Sequence, residues 1–124
     1  MLFNLPRDKK NILWTNHAKG KIIYYQLSEN RVKKVLRNPN RIEKGIALNT
    51  LAVMQIAGTK KNPTEIWVMY QTAKSKIYGE KIRIISAWRY PGTSPKREPP
   101  QIPQDALDEL ARVIKSEKMI LKKQ

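Results

Sequence analysis

Three apolar stretches follow one another closely: LNTLAVMQIAG at 48–58, EIWVMYQTA at 65–73 and KIRIISAWRY at 81–90. Each is rich in β-branched and aromatic residues. Turn residues separate them, Asn62-Pro63 after the first and Gly79 before the third. That combination predicts strands rather than buried helix. The connectors TKKNPT and KSKIYGE are too short to carry a crossover, so the predicted pairings are antiparallel. The chain is thereby confined to a fold built on a small antiparallel sheet, and an apolar sheet face needs a covering layer.

Helices are predicted on either side of these segments. Ile12 to Trp14 reads as a short strand and about 16–26 as a helix, although Gly20 and Ile22-Ile23 are weak helix formers. Ser28 is a good N-cap, and Leu27, Val32, Val35 and Leu36 follow at helical spacing until Asn38-Pro39-Asn40 stops them. Lys33, Lys34 and Arg37 are then expected to point away from the apolar face, with Arg31 near its edge. Five of the eight prolines (Pro91, Pro95, Pro99, Pro100 and Pro103) predict an extended tether over 91–103. Beyond it, Asp105 to Lys118 places Ala106, Leu107, Leu110, Val113 and Ile114 on one helical face. Acids start that helix and Lys115 and Lys118 lie near its end, as the helix dipole prefers. The expected organisation is a basic arm (1–10), an α+β domain (11–90) with two helices on one sheet face, the tether (91–103) and a C-terminal helix (104–124). The other sheet face is expected to be free.

Charge narrows the function. Lys and Arg number 25 against 10 Asp and Glu, for a net charge of +15. The whole excess precedes residue 98, because residues 98–124 carry as many acids as bases. Such a field attracts polyanions, with RNA foremost, DNA next and an acidic protein after them, although a solvated basic face serving solubility has the same composition. The absence of Cys excludes a disulfide scaffold, a thiolate metal site and a cysteine nucleophile, and a single His leaves a zinc site short of ligands. No apolar run approaches the ~18–20 residues of a membrane span, and MLFNLPRDKK lacks the apolar stretch of a signal peptide, so a cytoplasmic domain is expected.

Candidate site residues follow. His17, with Lys19 and Lys21 beside it, has the one side chain whose ordinary pKa lies near neutrality; it could move protons in phosphodiester cleavage, or merely cap a helix or fill space. Strict alternation over 81–90 sets Lys81, Arg83 and Arg89 in a row on one face and Ile82, Ile84, Ser86, Trp88 and Tyr90 on the other. Alternate residues stand about 6–7 Å apart, near the spacing of successive phosphates; an edge strand using charge against aggregation reads the same way. Trp67 and Tyr70 fall on opposite faces of the preceding strand. If Trp67 faces solvent, a base could stack there beside Arg83; core packing is the alternative, and the commoner fate of each aromatic taken singly. Glu29, Glu43, Glu65 and Glu80 are scattered, and neither a phosphate-binding glycine loop nor a serine nucleophile motif is present. Any enzyme here is expected to need no metal or cofactor and to act through His, Lys, Arg and Tyr.

His17-Ala18-Lys19 followed by SENRVKKVLRNPNRIEKG at 28–45 resembles small uncharacterised domains that open with a strand and His-Ala and carry a helix ending in an L-x-x-P step. RIISAW at 83–88 resembles the final strand, R-I-I-S-A-R, of BrnT-type toxins. Both groups are similar to the RelE-like superfamily, mostly ribonuclease toxins of toxin–antitoxin pairs with two helices against an antiparallel sheet. The resemblance covers residues about 12–90. It implies an RNA-cleaving or ribosome-associated role, with an acidic antitoxin masking the basic face. Arg83 matches the family's strand arginine, and His17 the opening histidine of the uncharacterised relatives. The chain departs from the pattern where Trp88 stands for a second arginine, and where Pro91-Gly92 breaks the helix that usually follows.

The expectation is therefore an RNA-binding protein of RelE-like architecture, with metal-independent endoribonuclease activity as a toxin. The 2′-hydroxyl would attack the adjacent phosphate, His17 or Lys21 would handle protons, and Arg83, Lys81 and Arg89 would hold the phosphate. Lys19, Lys33, Lys34, Arg37 and Trp67 would extend the interface. The alternatives are a non-enzymatic adaptor using the same face on ribosomal RNA or DNA, and a C-terminal helix that docks a protein through its apolar face.

Overall fold

A computed structural model describes residues 12–75 and 79–122; the expected basic arm lies outside them, as do residues 76–78 of the predicted turn. The elements run β1 (Ile12–Trp14), α1 (Asn16–Tyr24), α2 (Glu29–Arg37), β2 (Arg41–Ala47), β3 (Thr50–Gly58), β4 (Pro63–Ser75), β5 (Gly79–Pro91) and α3 (Gln104–Lys122). The architecture is α+β. The five strands form one sheet in the order β1-β5-β4-β3-β2. The hairpin neighbours pair antiparallel, as their short connectors require. β1 instead lies parallel to β5, Ile12 opposite Ile82, so the sheet is mixed rather than wholly antiparallel. A helical crossover separates β1 from the rest, and that is what a parallel neighbour needs.

Local chemistry sets the boundaries. The Thr15 hydroxyl accepts from the Ala18 amide (3.0 Å) to start α1 and donates to the Ile85 carbonyl (3.1 Å), pinning the helix start to β5. Ser28 caps α2 by accepting from the Arg31 amide, 3.0 Å away. Gly58 turns β3 toward β4 at φ 78°, where a Cβ would collide with the Asn62 carbonyl oxygen. β2 was not expected. RIEKGIA has too little alternation to read as a strand, and its pairing with β3 shifts register between Glu43 and Ala47.

Both faces of the sheet are covered. On one, Ala18 and Ile22 of α1 and Val32, Val35 and Leu36 of α2 pack on Val53, Val68, Tyr70 and Ile84. On the other, Ala106, Leu110 and Val113 of α3 pack on Trp67, Met69, Ile85 and Trp88. This corrects the expected free face, and the cause lies in β4. Its Ile66, Val68 and Tyr70 alternate with Trp67 and Met69, all fully buried, so a strand apolar on both sides calls for a layer on each.

The proline-rich segment is strapped down. Arg41 donates to the Ser94 hydroxyl (3.0 Å) and to the carbonyls of Pro95 (3.1 Å) and Glu98 (2.8 Å). The carboxylate of Glu65, 2% exposed, accepts from the Ser94 amide (3.1 Å) and from the Trp67 indole (3.0 Å). The strap so held carries α3 onto the second face.

Candidate nucleic-acid interface

The predicted cationic row on β5 does not exist as a row. Tyr70 faces Ile84 while Met69 faces Ser86, so one extra residue is inserted opposite β4. The bulge reverses the alternation. Arg83 pairs with Gln71 and Lys81 with Ala73 on the α3 side, whereas Arg89 pairs with Ile66 on the α1–α2 side. The expected inward set splits likewise: Ile82 and Ile84 join the α1–α2 core, and Trp88 joins the α3 core.

Three of the expected proton or phosphate handlers meet carboxylates of α3. Lys21 Nζ lies 2.6 Å from Asp105 Oδ2, and His17 Nε2 lies 3.5 Å from the same oxygen. Arg83 is ion-paired with Glu117. Burial alone would raise the Asp105 carboxyl, but the hydrogen bond and charge of Lys21, helped by His17, outweigh it and hold it below its usual 3.8. The same contact raises the Lys21 ammonium above 10.5. His17 Nε2 also lies 3.1 Å from the Ser86 hydroxyl. Serine and aspartate thus meet a single ring nitrogen, not one on each side as a nucleophile relay requires. Ser86 is 1% exposed, out of a substrate's reach. With α3 docked, the cluster clamps that helix to α1 and the β5 bulge. Among the described residues no group of His, Asp or Glu could hold a metal ion.

Two further expectations are corrected. Trp67 is 1% exposed, its ring stacked on Trp88 (6.1 Å between centroids) with the Arg41 guanidinium 5.4 Å from its own centroid, so no face is open to a base. Lys33 is buried with Val32, Val35 and Leu36 rather than pointing outward; a lysine stem is apolar enough to be packed this way. Lys81 is half-buried.

What remains is on the helical layer. Lys19 of α1 and Lys34 and Arg37 of α2 are exposed, and Glu29 is the sole acid in either helix. Arg89, also exposed, donates to the Tyr25 carbonyl (3.0 Å) at the end of α1. Arg31, half-buried, donates to Gln55 of β3, whose amide donates in turn to the Asn38 carbonyl (3.2 Å). Burial, then the charge of Arg89, pulls the Arg31 guanidinium below its ordinary value. Arg31 and its Gln55 support were not singled out from the sequence. A cation on the edge of an amphipathic helix was the available signal.

A groove of about 550 Å³ between β2 and the strap is lined by Glu43, Lys44, Lys96, Arg97 and Glu98, and so carries no one-sided charge. No family model matches this chain, and neither does any curated protein or solved structure.

Proposed function

We propose that this protein binds RNA through the layer formed by α1, α2 and the distal end of β5, as a non-enzymatic module in the state with α3 docked. One observation carries the reading: carboxylates and cations are unevenly distributed between the two faces. Asp105, Glu109 and Glu117 of α3 are each paired with a cation, while Lys19, Lys34, Arg37 and Arg89 stand exposed over a layer whose helices contain one acid. Phosphates are the commonest polyanionic match for such a surface. The RelE-like architecture belongs to the same proposal. The two helices on one sheet face support it, while the parallel β1 departs from the antiparallel sheet that the resemblance implies.

The test is binding of the folded protein to single-stranded RNA and to a DNA duplex across a salt series, in EDTA. The expected result is RNA binding that weakens steeply with salt, by a log–log slope of about −0.7 per phosphate contact on single strands. No binding to RNA at low salt overturns the reading. Preference for the duplex transfers it to DNA.

A second reading, the metal-independent endoribonuclease toxin, is favoured by the juxtaposition of His17 and Lys21. A substrate phosphate would have to take the place of the Asp105 carboxylate. It predicts RNA cleavage in EDTA that rises in Asp105→Asn and is lost in His17→Ala, and an acidic partner protein that suppresses it. Binding without cleavage by both the wild type and Asp105→Asn removes it.

A further inference from the structure

Arg31 and Arg89 come from distant parts of the chain and stand at the two ends of one row of the sheet. Gln55 of β3 lies opposite Ile66 of β4, and Ile66 opposite Arg89 of β5. Arg31 reaches down from α2 to the Gln55 end of that row, and Arg89 rises from the other end to the Tyr25 carbonyl. A guanidinium carries five N–H groups. Each arginine spends one on its anchor, and among the described residues the others have no protein acceptor. Each anchor restricts its guanidinium in advance. Gln55 is itself held by the Asn38 carbonyl.

This arrangement costs stability as it stands. The two like charges repel and one is partly desolvated, with no carboxylate acting on Arg31. Packing alone does not call for it, since an uncharged side chain at either position would avoid the repulsion. An oxyanion between them removes the repulsion and fills the remaining N–H groups at once, and paired guanidinium forks suit phosphate oxygens.

We propose that Arg31 and Arg89 form a two-armed clamp for one phosphodiester group of a bound single-stranded RNA. The assignment rests on the RNA-binding reading above and supplies its anchoring site. RNA is favoured over an acidic peptide because the cationic surface continues along α2 through Lys34 and Arg37, both exposed, giving further phosphates of the same strand somewhere to go.

The experiment measures affinity of the full chain for a short oligouridylate across a salt series. It compares wild type with Arg31→Gln, Arg89→Gln and the double variant, with Lys96→Gln on the strap as the remote control. Thermal melts confirm that each variant is folded. Each single arginine variant is expected to weaken binding about tenfold, the scale of one missing charge-assisted hydrogen bond. Because both arms hold one phosphate, the double variant should bind little more weakly than either single one, and the salt slope should become shallower by about 0.7 once, not twice. If the arginine variants match Lys96→Gln while Lys34→Gln and Arg37→Gln weaken binding, the clamp falls and the RNA-binding reading stands. If the folded wild type binds no oligouridylate, both fall. Tighter binding of a glutamate-rich peptide, abolished in the same arginine variants, overturns the phosphodiester assignment in favour of an acidic protein.

Discussion

The two faces of the sheet are covered by amphipathic helices that treat charge in opposite ways. α3 brings carboxylates that meet the cations of α1 and β5: Asp105 on Lys21 and His17, Glu117 on Arg83. α2 brings cations to a layer already cationic, and Arg31 feels the charge of Arg89. Both helices bury an apolar stripe. The RNA-binding proposal rests on that uneven charge, not on a difference in packing.

The sharpest way to break this comparison is to remove the neutral layer. Deleting residues 99–124 uncovers Trp88, Met69 and Ile85 and should abolish cooperative thermal unfolding; a deletion that still melts cooperatively would show α3 to be an accessory. A milder form is Leu110→Ala, at a site 5% exposed, expected to cost about 2–5 kcal/mol in urea titration. Next comes the strap. Glu65→Gln leaves an N–H of Trp67 or Ser94 facing an amide N–H, and stability in the same assay should fall by about 1–3 kcal/mol.

Third is the clamp between α3 and α1. Because folding lowers the Asp105 pKa, its contribution is present above 3.8 and is lost as pH falls through the lower folded value. Because folding raises the Lys21 pKa, its contribution is present below 10.5 and is lost as pH rises through the higher folded value. The Tm difference between wild type and Asp105→Asn should accordingly shrink toward both extremes of pH. A difference that persists unchanged in strong acid would remove the ion pair as its source. The smallest effect on stability belongs to the other face: Lys34→Gln with Arg37→Gln should shift stability by no more than about 0.5 kcal/mol, while the RNA salt slope falls by about 0.7 for each phosphate that is no longer held.

Legibility in the sequence tracks the range of the interaction. Ser28 with Val32, Val35 and Leu36 declares α2 because caps and helical spacing are local. The three hairpin strands are visible for the same reason. The β5 bulge is not, since it is defined by what Met69 and Tyr70 do on the neighbouring strand, and with it went the expectation that Arg83 and Arg89 share a face. The sequence leaves open whether Trp67 stacks a base or packs in the core, because the covering helix lies far along the chain. Asp105 and Glu117 fit a helix-dipole pattern or no pattern at all; that they neutralise Lys21 and Arg83 is a long-range fact. The single strand before the helices was expected, but its neighbour was not.

That neighbour has a kinetic consequence. β2 to β5 can zip through successive hairpins, each closing a short loop, whereas β1 must find β5 across the whole intervening chain, Ile12 to Ile82. The first strand written in the sequence is thus among the last to be added, and with three residues it has few hydrogen bonds to keep it there. Its amides should exchange with solvent well ahead of those in β4, opening and closing while the hairpin sheet stays intact.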